Sequence, residues 1–240
     1  MKLNLKWNLK ELDAKKKTWI IAIAVVVLIA ILGTFACLGI FRGFDANGYV
    51  SAILNQTMKG EVDEARRITE GATEATLRAQ YEEGIRSFVK NSILSGVEAT
   101  DEIEEKYVTT CKKVFADMRF QVGNAEKISK NEYHVPVTYQ SSDVFVKYMA
   151  ALEGERTRLK TKAENGEYRG TMEEIYAKMG EELLANSHTY FEEAYETMEF
   201  AEEETIVFQV KKGESGLFEI EETQITAFLI KILGLDEIQD

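Results

Sequence analysis

Hydrophobic positions along the chain follow three different patterns. From Trp19 to Phe41 the run WIIAIAVVVLIAILGTFACLGIF carries no charge and no period, the signature of a segment that is apolar all round. From Tyr49 to Met118 apolar residues return at three- and four-residue steps, as on one face of a helix. From Phe120 onward two stretches alternate strictly, as in half-buried strands, with a helical region between them.

The helical part divides at its caps. Asp45 is placed to cap a helix holding Tyr49, Val50, Ile53, Leu54 and Met58, which Gly60 stops. Glu61 to Thr69 reads as a short polar helix. Thr73 opens a longer one with the stripe Leu77, Tyr81, Ile85, Phe88 and Val89, closed by Gly96. Thr100, followed by Asp101 and Glu102, opens a fourth with Ile103, Tyr107, Cys111, Val114, Phe115 and Met118.

The alternating part predicts two hairpins. Phe120 and Val122 precede a turn at Ser129-Lys130-Asn131, and Tyr133, Val135, Val137 and Tyr139 then share one face of a second strand. His134, Pro136 and Thr138 lie on the other face, and Pro136 puts that strand at a sheet edge or at a bulge. Ile206, Phe208 and Val210 alternate before a turn at 212–216, and Leu217 to Glu221 returns. A final helix, Ile225 to Leu233, ends at Gly234. Between the hairpins, residues 143–200 predict an antiparallel pair of helices. Asp143 is placed to cap one, which runs to Asn165-Gly166, and the polar stretch Glu153 to Arg169 suggests that this arm projects beyond the core. The other starts near Thr171 with Met172, Tyr176, Met179, Leu183, Tyr190, Ala194 and Met198 as its stripe. The expected fold class is α+β: an N-terminal transmembrane helix, then helices packed on a curved antiparallel sheet of two hairpins with a helical-hairpin insert at 143–200.

Charge turns the apolar run into an oriented anchor. Its 23 residues cover about 34 Å as a helix, enough for a hydrocarbon core of roughly 30 Å. Residues 1–18 hold six lysines against Glu11 and Asp13, a net of +4. The chain from Arg42 onward holds 23 basic and 39 acidic residues, a net of −16. The positive-inside rule therefore places residues 1–18 in the cytoplasm, 19–41 across the membrane with Trp19 and Arg42 at its borders, and domain 44–240 outside. Three alternatives compete with a retained anchor: cleavage after Ala36, lipidation at Cys37, and a buried core helix, for which 24 uncharged positions are too many. The leader, with Leu5, Leu9 and Leu12 at helical spacing, is either an amphipathic surface segment or a solvated topology signal.

The same charge excludes some functions. A domain at −16 repels phosphate backbones, so no nucleic-acid partner is expected. Two cysteines, Cys37 and Cys111, and two histidines, His134 and His188, leave little for metal or nucleophilic chemistry. There is no HExxH, CxxC, G-x-S-x-G or glycine-rich phosphate loop, so neither a metal nor a cofactor is expected. His188 has Glu192 four residues on, a pair more in keeping with packing than with catalysis. The glutamates 192, 193, 196, 199, 202, 203 and 204 read as a solvated face rather than a cation site. Asn55-Gln56-Thr57 matches a glycosylation acceptor.

The stretches Phe44-Asp45-Ala46-Asn47-Gly48-Tyr49-Val50, Tyr81-Glu82-Glu83-Gly84-Ile85 and Phe120-Gln121-Val122-Gly123-Asn124-Ala125 resemble uncharacterised surface lipoproteins of Gram-positive bacteria. The order of helices, hairpin, helical excursion and second hairpin is similar to the nuclear-transport-factor-2-like α+β cone. The resemblance implies an extracytoplasmic location and that fold. It carries no catalytic residues. Those relatives have a lipobox, whereas Thr34 and Phe35 stand before Cys37 where a lipobox has leucine and a small residue. In cone folds aromatic strand residues line a pocket, and here Tyr133, Tyr139 and Phe208 hold those positions. The expected function is a non-catalytic binding or assembly module, engaging a small ligand in the cone or a protein partner through 143–200. An extracytoplasmic enzyme and a structural envelope component are the alternatives.

Overall fold

The computed structural model describes residues 44–239 apart from Glu70, Gly96 and Glu98. The basic leader, the apolar run 19–41 and with them Trp19, Cys37 and Arg42 lie outside the described residues. Among the described residues no helix is long and apolar enough to cross a membrane.

Caps fix the helix boundaries where the sequence places them. Helix α1 (Ala46–Lys59) starts where Asp45 Oδ1 accepts the Gly48 N–H at 3.0 Å, and ends at Gly60 with φ of +66°. A Cβ at Gly60 would also press into the Tyr81 ring at 2.8 Å, so the stop needs glycine on two counts. The short α2 spans Asp63–Ile68. Helix α3 (Glu74–Phe88) opens on a capping box between Thr73 and Thr76. It then widens without a break into a π-helical turn, Val89–Ile93, in which the Leu94 N–H reaches Val89 O at 2.9 Å. Helix α4 (Asp101–Ala116) is capped by Thr100 and carries Asp101, Glu102 and Glu104 in its first turn, where the dipole favours them. The tripeptide Asn55-Gln56-Thr57 lies inside α1 with Asn55 half-buried and Gln56 and Thr57 buried, so it is a helical segment and not a free surface loop.

The sheet is antiparallel and curls into a half-barrel: β1 (Arg119–Val122), β2 (Glu126–Ser129), β3 (Glu132–Ser142), β4 (Phe200–Lys212) and β5 (Phe218–Ile220). The second expected hairpin is present as β4–β5; in the first, the strand expected at Phe120 and Val122 is β1 and pairs with β3, but an additional short strand, β2, intervenes and leads into the turn. The longest pairing joins the two hairpins, from Glu132↔Lys211 to Ser142↔Phe200. This makes β3 the central strand, with β1 and β2 along one side and β4 along the other. Of the two places expected for Pro136's strand, the sheet edge is thereby corrected, while the strand does carry an irregularity, between Gln140 and Ser142. The Pro136 carbonyl accepts the Gly123 N–H at 2.8 Å, and its missing N–H falls where β1 has ended and β2 has not begun. A Cβ at Gly123 would meet Pro136 Cγ at 3.0 Å. The Ala125 N–H turns away to Asn47 Oδ1 at 2.6 Å, so the strand break is tied to the start of α1.

The insert is a helical hairpin of α5 (Val144–Glu164) and α6 (Met172–Glu196). Asp143 does not cap α5. Its Oδ1 accepts the Glu199 N–H at 2.8 Å while its own N–H donates to Glu199 O at 3.2 Å, a latch across the hairpin's base. Only part of the expected α6 stripe is inside: Leu183 and Ala194 are buried, beside Phe191, which lay off the expected stripe, but Met172 and Tyr176 near the tip are 61% and 39% exposed. The arm is held by charge where apolar contact runs out. Glu155, 4% exposed, receives Arg158 through two bonds of 2.7 Å, Asn186 at 2.9 Å and Tyr190 at 3.0 Å. Glu182 takes Arg158, Lys162 and Tyr168 at 2.6 to 2.9 Å. Helix α7 (Glu222–Ile232) and a 3₁₀ turn, Asp236–Gln239, close the chain.

Candidate binding site

The three aromatic residues expected to line a pocket fall into two groups. Tyr139 and Phe208 both meet Phe228 of α7, with ring centroids 5.7 and 5.6 Å away, and Phe120 packs on the same ring at 6.0 Å. The tip of Tyr139 is occupied as well: its hydroxyl donates to Glu204 Oε2 at 2.9 Å, and burial pushes the phenol well above its usual range. Tyr133 lies apart. It meets Phe44 and Phe218, which stack on each other at 4.0 Å, and Lys127 sits 5.6 Å from its ring centroid.

None of the three borders the cavity that opens on the helical side of the molecule. This cavity of about 130 Å³ lies between the π turn, α4, the base of the hairpin and the C-terminal turn. The π turn and the loop after it contribute Ser92, Ile93, Leu94, Ser95 and Val97. Helix α4 contributes Tyr107, and α5 presents Phe145, Tyr148, Met149, Leu152 and Arg156. Leu183, Leu184 and Ser187 come from α6, and Leu235 and Ile238 from the chain end. The wall is largely apolar.

Its polar atoms are of two kinds. Deep inside, Ser187 donates to Leu184 O at 3.0 Å and is bonded to the Tyr107 hydroxyl at 2.5 Å, so the Tyr107 O–H is the donor there. Tyr148 joins this hydroxyl cluster, and burial drives both phenols above their usual range. The wall residues Ser92 and Arg156 each also keep one polar atom, Oγ and Nε, packed out of contact with the open space and without a hydrogen-bond partner, as Gln56 Oε1, Thr57 Oγ1, Thr69 Oγ1 and Ser142 Oγ are elsewhere in the fold. Arg156 is the charged residue of the wall, and its Nη1 pairs with the exposed Glu153 at 3.4 Å.

No family model matches the chain, and no curated protein matches it. One similar solved structure is the crystal structure of a "putative lipoprotein (ycdA)" from Bacillus subtilis. It is 18% identical with a TM-score of 0.43, and the match covers 75% of this chain. The match covers 53% of the Bacillus chain, so this protein spans about half of its length.

The remaining candidates resolve into packing. His188 Nε2 lies 3.2 Å from Thr110 Oγ1, its Nδ1 3.5 Å from Glu192, and its ring edge packs on Tyr107. His134 pairs with Glu132 at 3.2 Å. Cys111 is fully buried, and burial raises its thiol far above the reactive range. Among the described residues no group of His, Cys, Asp or Glu is arranged to hold a metal ion. The expected chemistry missed Arg156 and Ser92. Arg156 stood out only as one charge in the polar stretch 153–169, and Ser92 follows a helical stripe that gives no sign of turning π-helical.

Proposed function

We propose that residues 44–239 form a non-catalytic binding domain that the segment 19–41 holds at the outer face of a membrane, with a ligand site in the helix-lined cavity. The observation that carries this is the cavity itself. Its volume is close to the roughly 150 Å³ of an apolar protein cavity that takes up benzene. A close-packed interior normally leaves few voids of this size, and each forfeits contacts. The orientation rests on the lysines before the span and the acidic chain after it. The cone-like arrangement of the nuclear-transport-factor-2 type and the surface-lipoprotein relationship belong to this proposal, as do the membrane contact through 19–41 and the retained anchor with an unmodified Cys37.

Ligand-observed NMR on the full chain in lipid nanodiscs tests the site, with benzene and indole as probes. Saturation transfer to at least one probe is expected, and its loss in Leu184→Trp, where an indole fills the space. Absence of transfer in the wild-type chain, or its persistence in Leu184→Trp, rejects the site. A second reading, a protein partner at the tip of the α5–α6 arm, is favoured by the exposure of Met172 and Tyr176. Its signature is a partner retained by the wild-type chain and lost in Met172→Glu/Tyr176→Glu.

A further inference from the structure

The two sides of the sheet end differently. Along one lie β1 and β2, four residues each, broken between Val122 and Glu126 and carrying Arg119 and Lys127, features that keep a stray strand from pairing there. Along the other lies β4, with no lysine, arginine or proline from Phe200 to Val210. Register decides which of its backbone groups look outward. The Lys212 N–H donates to Asn131 O at 2.9 Å, so even-numbered residues of β4 turn their N–H and C=O toward β3 and odd-numbered ones turn away. Lys211 is met by β5, opposite Glu219. At Gln209 the side chain of Gln224, from α7, does what a strand would: its Oε1 accepts the Gln209 N–H at 2.7 Å, and its Nε2 donates to the Gln209 carbonyl at 3.2 Å. At the far end, where the ladder is bulged, Gln140 Nε2 donates to Ala201 O at 3.0 Å. Between these two points the outward N–H and C=O groups of Glu203, Thr205 and Val207 meet no strand and no side chain among the described residues. Residues 201–205 are exposed, and Val207 is 48% exposed.

We infer that this edge takes an extended, lysine- or arginine-bearing segment of a partner protein as an added strand. Glu203, Thr205 and Val207 each offer it one backbone donor and one acceptor. Side chains set the choice. Glu202, Glu203 and Glu204 stand on both faces of β4, so basic residues are favoured on either face of the added strand, while Ile206 and Val207 favour apolar ones at its other end. A second copy of this chain is the poorer occupant. Antiparallel pairing about Thr205 would set Glu203 against Val207 and Glu204 against Ile206, between two chains that each carry a net of −16 beyond Arg42. The edge is separate from the cavity, whose wall includes no residue of β4.

Fluorescence anisotropy on the full chain in phosphatidylcholine nanodiscs tests this, with a labelled alternating Lys/Val heptapeptide as probe and empty nanodiscs as the blank. Saturable binding is expected. It should weaken by about tenfold or more for a Glu/Val counterpart, and equally for a fully N-methylated Lys/Val peptide, which keeps the charge but can donate no ladder bond. Thr205→Pro removes only an outward N–H and leaves the β3 ladder its donors, so it too should weaken binding by about tenfold or more. Glu202→Lys/Glu203→Lys changes exposed side chains and should reverse the preference toward the Glu/Val peptide. That variant, with an unchanged thermal midpoint, decides should Thr205→Pro fail to fold. No saturable binding at millimolar concentration overturns the inference. Binding indifferent to N-methylation and to Thr205→Pro also overturns it, since charge alone then makes the contact. A dimer in sedimentation velocity that Thr205→Pro dissociates would make a second copy the occupant, and the basic partner falls.

Discussion

The concave face of the sheet and the cavity on the helical side are both lined by aromatic and aliphatic residues, yet one is closed and the other is not. On the concave face a single side chain, Phe228, packs at once against Phe120, Tyr139 and Phe208, and the one phenol tip there is satisfied by Glu204. On the helical side the wall comes from five separate segments that leave about 130 Å³ between them unfilled. Aromatic lining therefore does not distinguish a site from a core. Whether neighbouring side chains fill the space does.

The comparison breaks most directly at Phe228. Phe228→Ala should lower stability by about 3–5 kcal/mol in urea denaturation, because the ring is fully buried among three others. Leu184→Ala, which borders space already empty, should cost less than half as much. Equal costs would mean that the two regions are packed alike.

The arm that forms two walls of the cavity can be loosened by itself. Glu155→Gln should cost about 1–3 kcal/mol, since it weakens the bidentate bond to Arg158 and leaves a buried amide among donors. Arg158 holds the Glu155 carboxyl down at about 2, and Lys162, with Tyr168 and Arg158, does the same for Glu182. Carboxylates lowered in the folded state stabilise it fully above their ordinary value near 4.5. That contribution fades as the pH falls from there through about 2. Acid unfolding should accordingly be steeper in the wild-type chain than in Glu155→Gln over that window. Parallel curves would remove the ionic clasp from the account.

Smaller effects sharpen the contrast. Leu184→Phe should change stability by no more than about 1 kcal/mol while abolishing benzene uptake, as expected of a side chain that grows into a void. Tyr176→Ser, out on the arm's tip, should stay within about 0.5 kcal/mol in the same denaturation assay. A larger loss would place that tip in contact with the rest of the molecule.

Most element boundaries were legible in the sequence because caps and glycines act locally. Asp45, Gly60, Thr73, Thr100 and Thr171 each do in the structure what their side chains or lack of one suggested. What was not legible depended on partners distant in sequence. Pro136 read as a sign of an edge strand or a bulge, and the choice between them was hidden because a lone strand does not reveal that its neighbour breaks opposite it, with Gly123 and Asn47 absorbing the break. Asp143 read as a cap, yet Glu199 claims it. Met172 and Tyr176 kept the helical period beyond the point where there was anything to bury them. The cavity was invisible for the same reason. Its wall joins residues from position 88 to position 238, and its charge is one arginine among many charged neighbours.

The latch between Asp143 and Glu199 has a consequence for the order of assembly. Strands β3 and β4 are partners across residues 143–199, and closing so long a flexible loop costs on the order of 3 kcal/mol more entropy than closing a two-residue turn. Helices α5 and α6 contact each other locally, so they can pair early and return the chain to within one residue of where it left. Ser142 then already faces Phe200, and the central ladder zips from that end as though the intervening residues were a tight turn. In kinetic terms the arm is a template for the sheet, which predicts that weakening the arm slows refolding as well as speeding unfolding.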